Sequence, residues 1–181
     1  ALMKKYLYMI AALFGIDYFC KENIEAQKPE DFPRDMEKSH GKIRLYRNHN
    51  DGFCFGVKKE KKELVRMVPV VFTSAAAGIL TWLLCRDEGR KADRIGFALI
   101  TAGGLSNLYD RLKRGYVVDY FSIRCKYLEK VVFNLGDFFI FAGSALIAAS
   151  DLLGAVRDLS SPAEAHIKAL RLPWRKTDEA E

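Results

Sequence analysis

Apolar and charged residues fall in long blocks along this chain, not at the short periods of an amphipathic helix or strand. No charge occurs from Met67 to Cys85, 19 residues, just past the roughly 18 at which a membrane span is indicated. Three weaker blocks accompany it. Tyr6 to Ile16 is uncharged and reaches Cys20 only by including Asp17; Ile95 to Tyr109 is uncharged and Gly-rich; Val131 to Ser150 is long enough to cross if Asp137 is admitted. The pattern predicts a mainly α, integral membrane fold with four transmembrane helices. Acids inside such blocks are rare and by default mark a site. Asp17 closes the first block, Asp110 closes the third and Asp137 opens the fourth, so four spans put all three at one face of the membrane.

Between the first two blocks, from about Lys21 to Glu63, runs a polar connection too long for an ordinary turn. Its first half, Glu22 to Ser39 with Pro29 and Pro33, reads as irregular or marginally helical. Its second half alternates: Ile43 and Leu45 among basic residues, then Phe53, Phe55 and Val57, with the turn signal Asn48-His49-Asn50-Asp51-Gly52 between them. Two short strands about a tight turn are expected. A hairpin of this size must rest on the helices or the membrane surface, and Tyr120 to Ile123 offers a third extended piece. The expected organisation is a four-helix membrane domain over 1–158, with its outer loop at 21–63, followed by a cytoplasmic tail over 159–181. An interfacial helix around Ala163 to Leu172 is expected within that tail.

Composition changes this picture in two ways. Half the residues are apolar but 29% are charged, and the mean hydropathy is −0.08, so a membrane reading survives only because the apolar residues are clustered. The net charge is +6. Lys4 and Lys5, the short turn carrying Arg86, Arg90, Lys91 and Arg94, and the Arg157 to Lys176 region lie on one side; the positive-inside rule makes that side cytoplasmic, termini included. The opposite loops are basic too, but long loops translocate largely regardless of charge. The basic excess reads as solvated or lipid-headgroup-facing surface, with no motif for nucleic acid. Cys20, Cys54, Cys85 and Cys125 are irregularly spaced and no metal pattern is present. A disulfide among Cys20, Cys54 and Cys125 and unpaired thiols are equally open. The first block ends in Asp-Tyr-Phe-Cys-Lys rather than small residues, so it is expected to remain as a span and not to be cleaved.

The candidate chemistry lies in Asp119, within Gly-Tyr-Val-Val-Asp-Tyr-Phe, and Asp137, within Phe-Asn-Leu-Gly-Asp-Phe-Phe. A carboxylate between Val and Phe loses hydration, which is costly unless it is paired, protonated or used. Either acid alone reads most simply as a helix cap or turn residue. Facing one another, they would share a proton and split into an acid and a base.

Five ordered elements resemble the lipoprotein signal peptidases (type II signal peptidases) of bacteria. They are Asp17-Tyr-Phe-Cys-Lys21, Asn50-Asp-Gly-Phe-Cys-Phe-Gly56, Asn107-Leu-Tyr-Asp110-Arg111, Gly115-Tyr-Val-Val-Asp119-Tyr-Phe and Phe133-Asn134-Leu-Gly-Asp137. The resemblance implies an aspartic endopeptidase of four spans, with no metal or other cofactor. It would act as a monomer in the bacterial plasma membrane, with its site near the outer face among membrane lipids. Its substrates would be lipidated prolipoproteins, cut before the diacylglyceryl-modified cysteine. The resemblance makes Asp119 and Asp137 the catalytic pair. Asn50, Asn107, Arg111 and Asn134 would line the site and position substrate or backbone. Asp110 would anchor Arg111 and its loop, and Asp17 and Lys21 would tie the first span to the outer loop. The bland readings are an N-cap for Asn134 and helix termination with a snorkelling lysine for Asp17 and Lys21.

The chain departs from the family pattern in Ala102-Gly103-Gly104-Leu105-Ser106-Asn107, where Ser106 replaces a Gly expected at close helix packing, and in Phe53 and Cys54, which replace small Ala residues. Two other readings compete with the peptidase: a catalytically silent binding or scaffold protein of the same fold, and a small transporter using its acids as proton relays. The one-sided clustering of the acids disfavours the transporter.

Overall fold

The computed structural model describes residues 2–52, 62–86 and 89–170, with side chains from 67 in the second stretch and to 157 in the last. The four apolar blocks become four helices among the described residues: α1 (Leu2–Glu25), α2 (Lys62–Cys85), α3 (Lys91–Lys113) and α4 (Leu135–Leu170). Met67–Cys85 and Leu135–Arg157 are long and apolar enough to cross a bilayer by themselves. In α1 and α3, Asp17, Lys21 and Asp110 are buried, so the charges that lower the hydropathy of these helices face protein and not lipid.

The polar connection is more ordered than its composition suggested. α1 runs past Lys21 to Glu25, and the chain then makes a 3-10 turn at Pro29–Asp31, strand β1 (Arg34–Asp35) and strand β2 (Ile43–Asn50). Strand β3 (Val117–Ile123) follows α3 and completes an antiparallel sheet of order β1-β2-β3. The expected turn at Asn48–Gly52 is placed differently: Asn48 to Asn50 continue β2, and only Asn50 to Gly52 turn, with the Gly52 N–H donating to Asn50 Oδ1 at 3.0 Å. An Asn side chain that captures the amide two residues on makes this local turn without reversing the strand. Phe53, Cys54, Phe55 and Val57, the other expected strand, lie outside the described residues. Among the described residues β2 pairs with β1 and with the third extended piece, β3: Asn48 pairs with Asp119 and Asn50 with Val117, with a register shift between Leu45 and Asn48.

Two apolar clusters hold the elements. Tyr6, Leu80 and Ala98 join α1, α2 and α3 at one end. Ile24, Val118 and Tyr120 pack β3 on the end of α1, with Leu135 beside them. α3 and α4 approach closely at two glycine pairs. A Cβ on Gly103 would lie 2.1 Å from the Gly136 carbonyl oxygen, and one on Gly143 would lie 2.5 Å from that of Gly96. Small residues let helix backbones meet in this way, and Gly136 immediately precedes Asp137. Two compact units divide within α4, Ala1–Ile147 and Ala148–Glu181. α4 stays helical through Leu170, so it continues without a break into the stretch expected as a tail and covers most of the helix expected around Ala163 to Leu172. Cys20, Cys85 and Cys125 are free thiols; Cys54 lies outside the described residues.

Candidate active site

β3 and the start of α4 bring the two acids together through one residue, Asn134. It caps α4: its Oδ1 accepts the Asp137 N–H at 2.9 Å, while Asp137 Oδ2 accepts the Asn134 N–H at 3.3 Å. This reciprocal pair is a capping box. The Asn134 Nδ2 then donates to Asp119 Oδ1 at 2.7 Å. Phe133 bonds back to β3, its carbonyl accepting from Tyr120 N at 2.8 Å and Phe121 N at 3.0 Å, which is what lays the helix start against the strand. Asn134 is therefore both the N-cap of α4 and a donor to Asp119.

The remaining donors to the acids are also amides. Asn50 Nδ2 donates to Asp119 Oδ2 at 2.9 Å, and Asn107 Nδ2 to Asp137 Oδ1 at 2.9 Å. Asp119 is 3% exposed and Asp137 8%. Burial, and next the nearby Asp137, push the Asp119 carboxyl up to about 7. Burial, and then the charge of Asp17, hold the Tyr120 hydroxyl above its usual value, so it remains a donor.

Asp17 and Lys21 do not behave as helix-end residues. Lys21 is fully buried, its ammonium 2.8 Å from Asp17 Oδ2, 3.3 Å from Asp110 Oδ2, 3.2 Å from Ser106 Oγ and 2.9 Å from Asn107 Oδ1. Asp17 also accepts from Ser106 Oγ at 2.6 Å, Tyr120 Oη at 3.0 Å and the Leu135 N–H at 3.1 Å. The two residues thus join α1 to α3, β3 and the start of α4. Snorkelling is unavailable to a lysine with acceptors on every side inside the fold. Asp110 accepts from Arg114 Nε at 3.0 Å and the Val118 N–H at 3.1 Å, so it holds the turn into β3. Arg111 Nη2 donates to the Gly52 carbonyl at 2.7 Å, tying α3 to the end of β2.

Sequence reasoning missed Tyr120 and Arg114 and misread Ser106. Ser106 is buried without obstructing the packing, because its hydroxyl takes part in the Asp17–Lys21 cluster. A hydroxyl beside Asn107 in a helix that also carries Asp110 was the available signal.

Among the described residues, two cavities meet the acids. A cleft of about 540 Å³, lined by Phe72, Ile79, Phe97 and Ile140 among others, reaches Asn107, Arg111 and Asp137. A second, of about 10 Å³, is bounded by Asn50, Asp119, Phe133, Asp137 and Phe141, room for about one water molecule.

The family described as signal peptidase (SPase) II, Peptidase A8, matches residues 9–153. A lipoprotein signal peptidase of Mesorhizobium japonicum is 30% identical over 157 residues, 86% of this chain and 90% of the relative. One from Brucella ovis is 34% identical over 116 residues, 64% of this chain and 71% of the relative. The fold is similar to a bacterial membrane enzyme solved in meso at 2.3 Å resolution, with a TM-score of 0.70 and 18% identity over 100% of this chain and 97% of the other. A second such structure, at 1.9 Å, gives a TM-score of 0.68 and 19% identity over 84% of this chain and 95% of the other. Four helices, a small antiparallel sheet and a family match that spans both acids lead to one conclusion: this chain belongs to the lipoprotein signal peptidases, the signal peptidase II enzymes of aspartic peptidase family A8.

Proposed function

We infer that Asp119 and Asp137 are the catalytic pair of a membrane endopeptidase that removes signal peptides from diacylglyceryl-modified prolipoproteins, cutting before the lipidated cysteine. The observation that carries this reading is that one residue, Asn134, is hydrogen bonded to both acids, beside a cavity that fits a single water. With one proton between them, the charged carboxylate takes a proton from water as it attacks the scissile carbonyl. The protonated partner hydrogen bonds to the developing oxyanion and then gives its proton to the leaving amine as the C–N bond breaks, while the proton taken from water stays on the first carboxyl. Only amides and backbone N–H groups donate to the two acids in the bonds described above. A carboxyl raised to about 7, as Asp119 is, is able to hold the proton at neutral pH.

The apolar cleft suits the hydrophobic stretch of a signal peptide, which would lie among α2, α3 and α4 with its scissile bond at Asp137. Arg111 and Asn107 at its polar end would position the peptide backbone. All these side chains come from one chain, which supports action as a monomer. The short Arg-rich turn before α3 supports cytoplasmic termini and a site near the outer face of the plasma membrane, within reach of membrane lipids. Residues 1–158 would form the peptidase domain, with the rest on the cytoplasmic side.

The test is to make Asp119→Asn and Asp137→Asn separately and follow conversion of a lipidated prolipoprotein. Loss in both supports the pair. Undiminished processing by either variant removes the mechanism and favours a silent protein of the same fold.

A further inference from the structure

We propose that Lys21 is a positioning residue for Asp137, acting through Asn107, and that Ser106 helps to seat it. This inference rests on the catalytic pair inferred above. Lys21 is fully buried, so it does not touch substrate. An ammonium has three donors and no acceptor. The Asn107 atom 2.9 Å from it must therefore be the carbonyl oxygen. An amide fixed at one end is fixed at the other: the NH2 group of Asn107 must face Asp137 Oδ1, where it lies at 2.9 Å. Without Lys21 the amide is free to turn over and present its oxygen to the carboxyl, a repulsive contact that would displace Asp137 or hold a proton on Oδ1.

Ser106 completes the seat. Its hydroxyl accepts from Lys21 at 3.2 Å and donates to Asp17 Oδ2 at 2.6 Å, so Asp17 and the ammonium share a third partner. Where the family pattern has Gly, this chain adds a link between α1 and the residue before Asn107. The groups facing Lys21 are Asp17 on α1 and Asp110, Ser106 and Asn107 on α3. Arg114 lies behind Asp110 and Tyr120 behind Asp17.

The experiment uses the full chain in lipid-containing micelles, with a diacylglyceryl-modified prolipoprotein as substrate. Lys21→Met, Asn107→Leu and their combination are compared for kcat and KM. If Lys21 acts through Asn107, each single change lowers kcat by about 100-fold with little change in KM, and the double variant is no worse than the poorer single. Losses that multiply in the double variant, or effects confined to KM, overturn the proposal. Should Lys21→Met fail to fold, Ser106→Ala replaces it in the same cycle. A roughly threefold to tenfold fall in kcat is expected, matching loss of one buried hydrogen bond; Ser106→Thr should restore it, and the fall should vanish in the Asn107→Leu background. A wild-type kcat for Ser106→Ala, or the same loss with Asn107→Leu already present, overturns it equally. Asp137→Asn is run alongside: activity there would sink the catalytic pair itself, whereas an inactive Asp137→Asn beside fully active Lys21→Met sinks only the positioning role.

Discussion

Two clusters of buried acids lie next to each other in this protein, and they are solvated in opposite ways. Around Asp17 the charge is matched: Lys21 sits 2.8 Å away, and Ser106, Tyr120 and the Leu135 amide fill the remaining lone pairs. Around Asp119 and Asp137 the partners described are neutral amides and one backbone N–H, and a cavity borders both carboxyls. A buried charge matched by an opposite one and by donors on its other lone pairs has its lost hydration replaced. Two acids held by neutral donors still contend for a proton, and this is the condition acid–base chemistry needs. Lys21 and Asn107 connect the two clusters.

The largest effect should come from the uncompensated cluster. Asp119→Asn or Asp137→Asn should cut the processing rate by about 10⁴-fold, at the upper end for loss of a general acid or base, measured as conversion of lipidated prolipoprotein at fixed enzyme. If either retains full processing, the contrast loses its functional meaning. Next, Asp17→Leu should destabilise the fold by about 3–5 kcal/mol, since it leaves the Lys21 charge buried without its nearest partner. Thermal unfolding in detergent reads this, and a loss below about 1 kcal/mol would show the cluster to be less matched than its geometry.

The pH dependence of stability separates the clusters further. Asp119 is held at about 7 in the folded chain, well above the usual aspartate range near 3.8, so the folded state binds the proton more tightly than the unfolded one. Stability should fall as pH rises from about 4 to about 7 and then level off, by on the order of 4 kcal/mol. Asp119→Asn should flatten that slope in the same unfolding assay. A slope that survives the change would assign it to another group. Smallest, Gly103→Ala should cost about 1–3 kcal/mol by overpacking against the Gly136 carbonyl, with processing reduced because the start of α4 carries Asp137. Unchanged stability would mean that α3 and α4 can separate at this point.

Much of this was readable before any fold was known. The four apolar blocks were visible because a span needs an unbroken stretch of the right length, and the three block-end acids because a charge there has no cheap explanation. The hairpin was harder: Asn48 to Gly52 carries turn residues, yet β3 was available as a partner and the ladder continued through Asn50. Asp17 and Lys21 stood evenly between a helix end and a site, since nothing local distinguishes a snorkelling lysine from a buried one. The difference is made by Asp110, Ser106 and Asn107, more than 80 residues away in sequence.

What the amino-acid order determined alone was the four apolar helices, the membrane character and the motifs that single out Asp119 and Asp137 as candidates. These depend on local hydrophobicity and on short motifs whose meaning is carried by neighbours in the chain. Tertiary structure alone decided which acids would be paired with Lys21 and which would be held by neutral amides. That depends on long-range approach: the glycine contacts between α3 and α4, the register of β3 on β2, and a lysine enclosed by oxygen atoms from two helices. A carboxylate's environment is a three-dimensional property, and here the side chain of Asn107 reaches from an enclosed ion pair to two acids held by neutral amides.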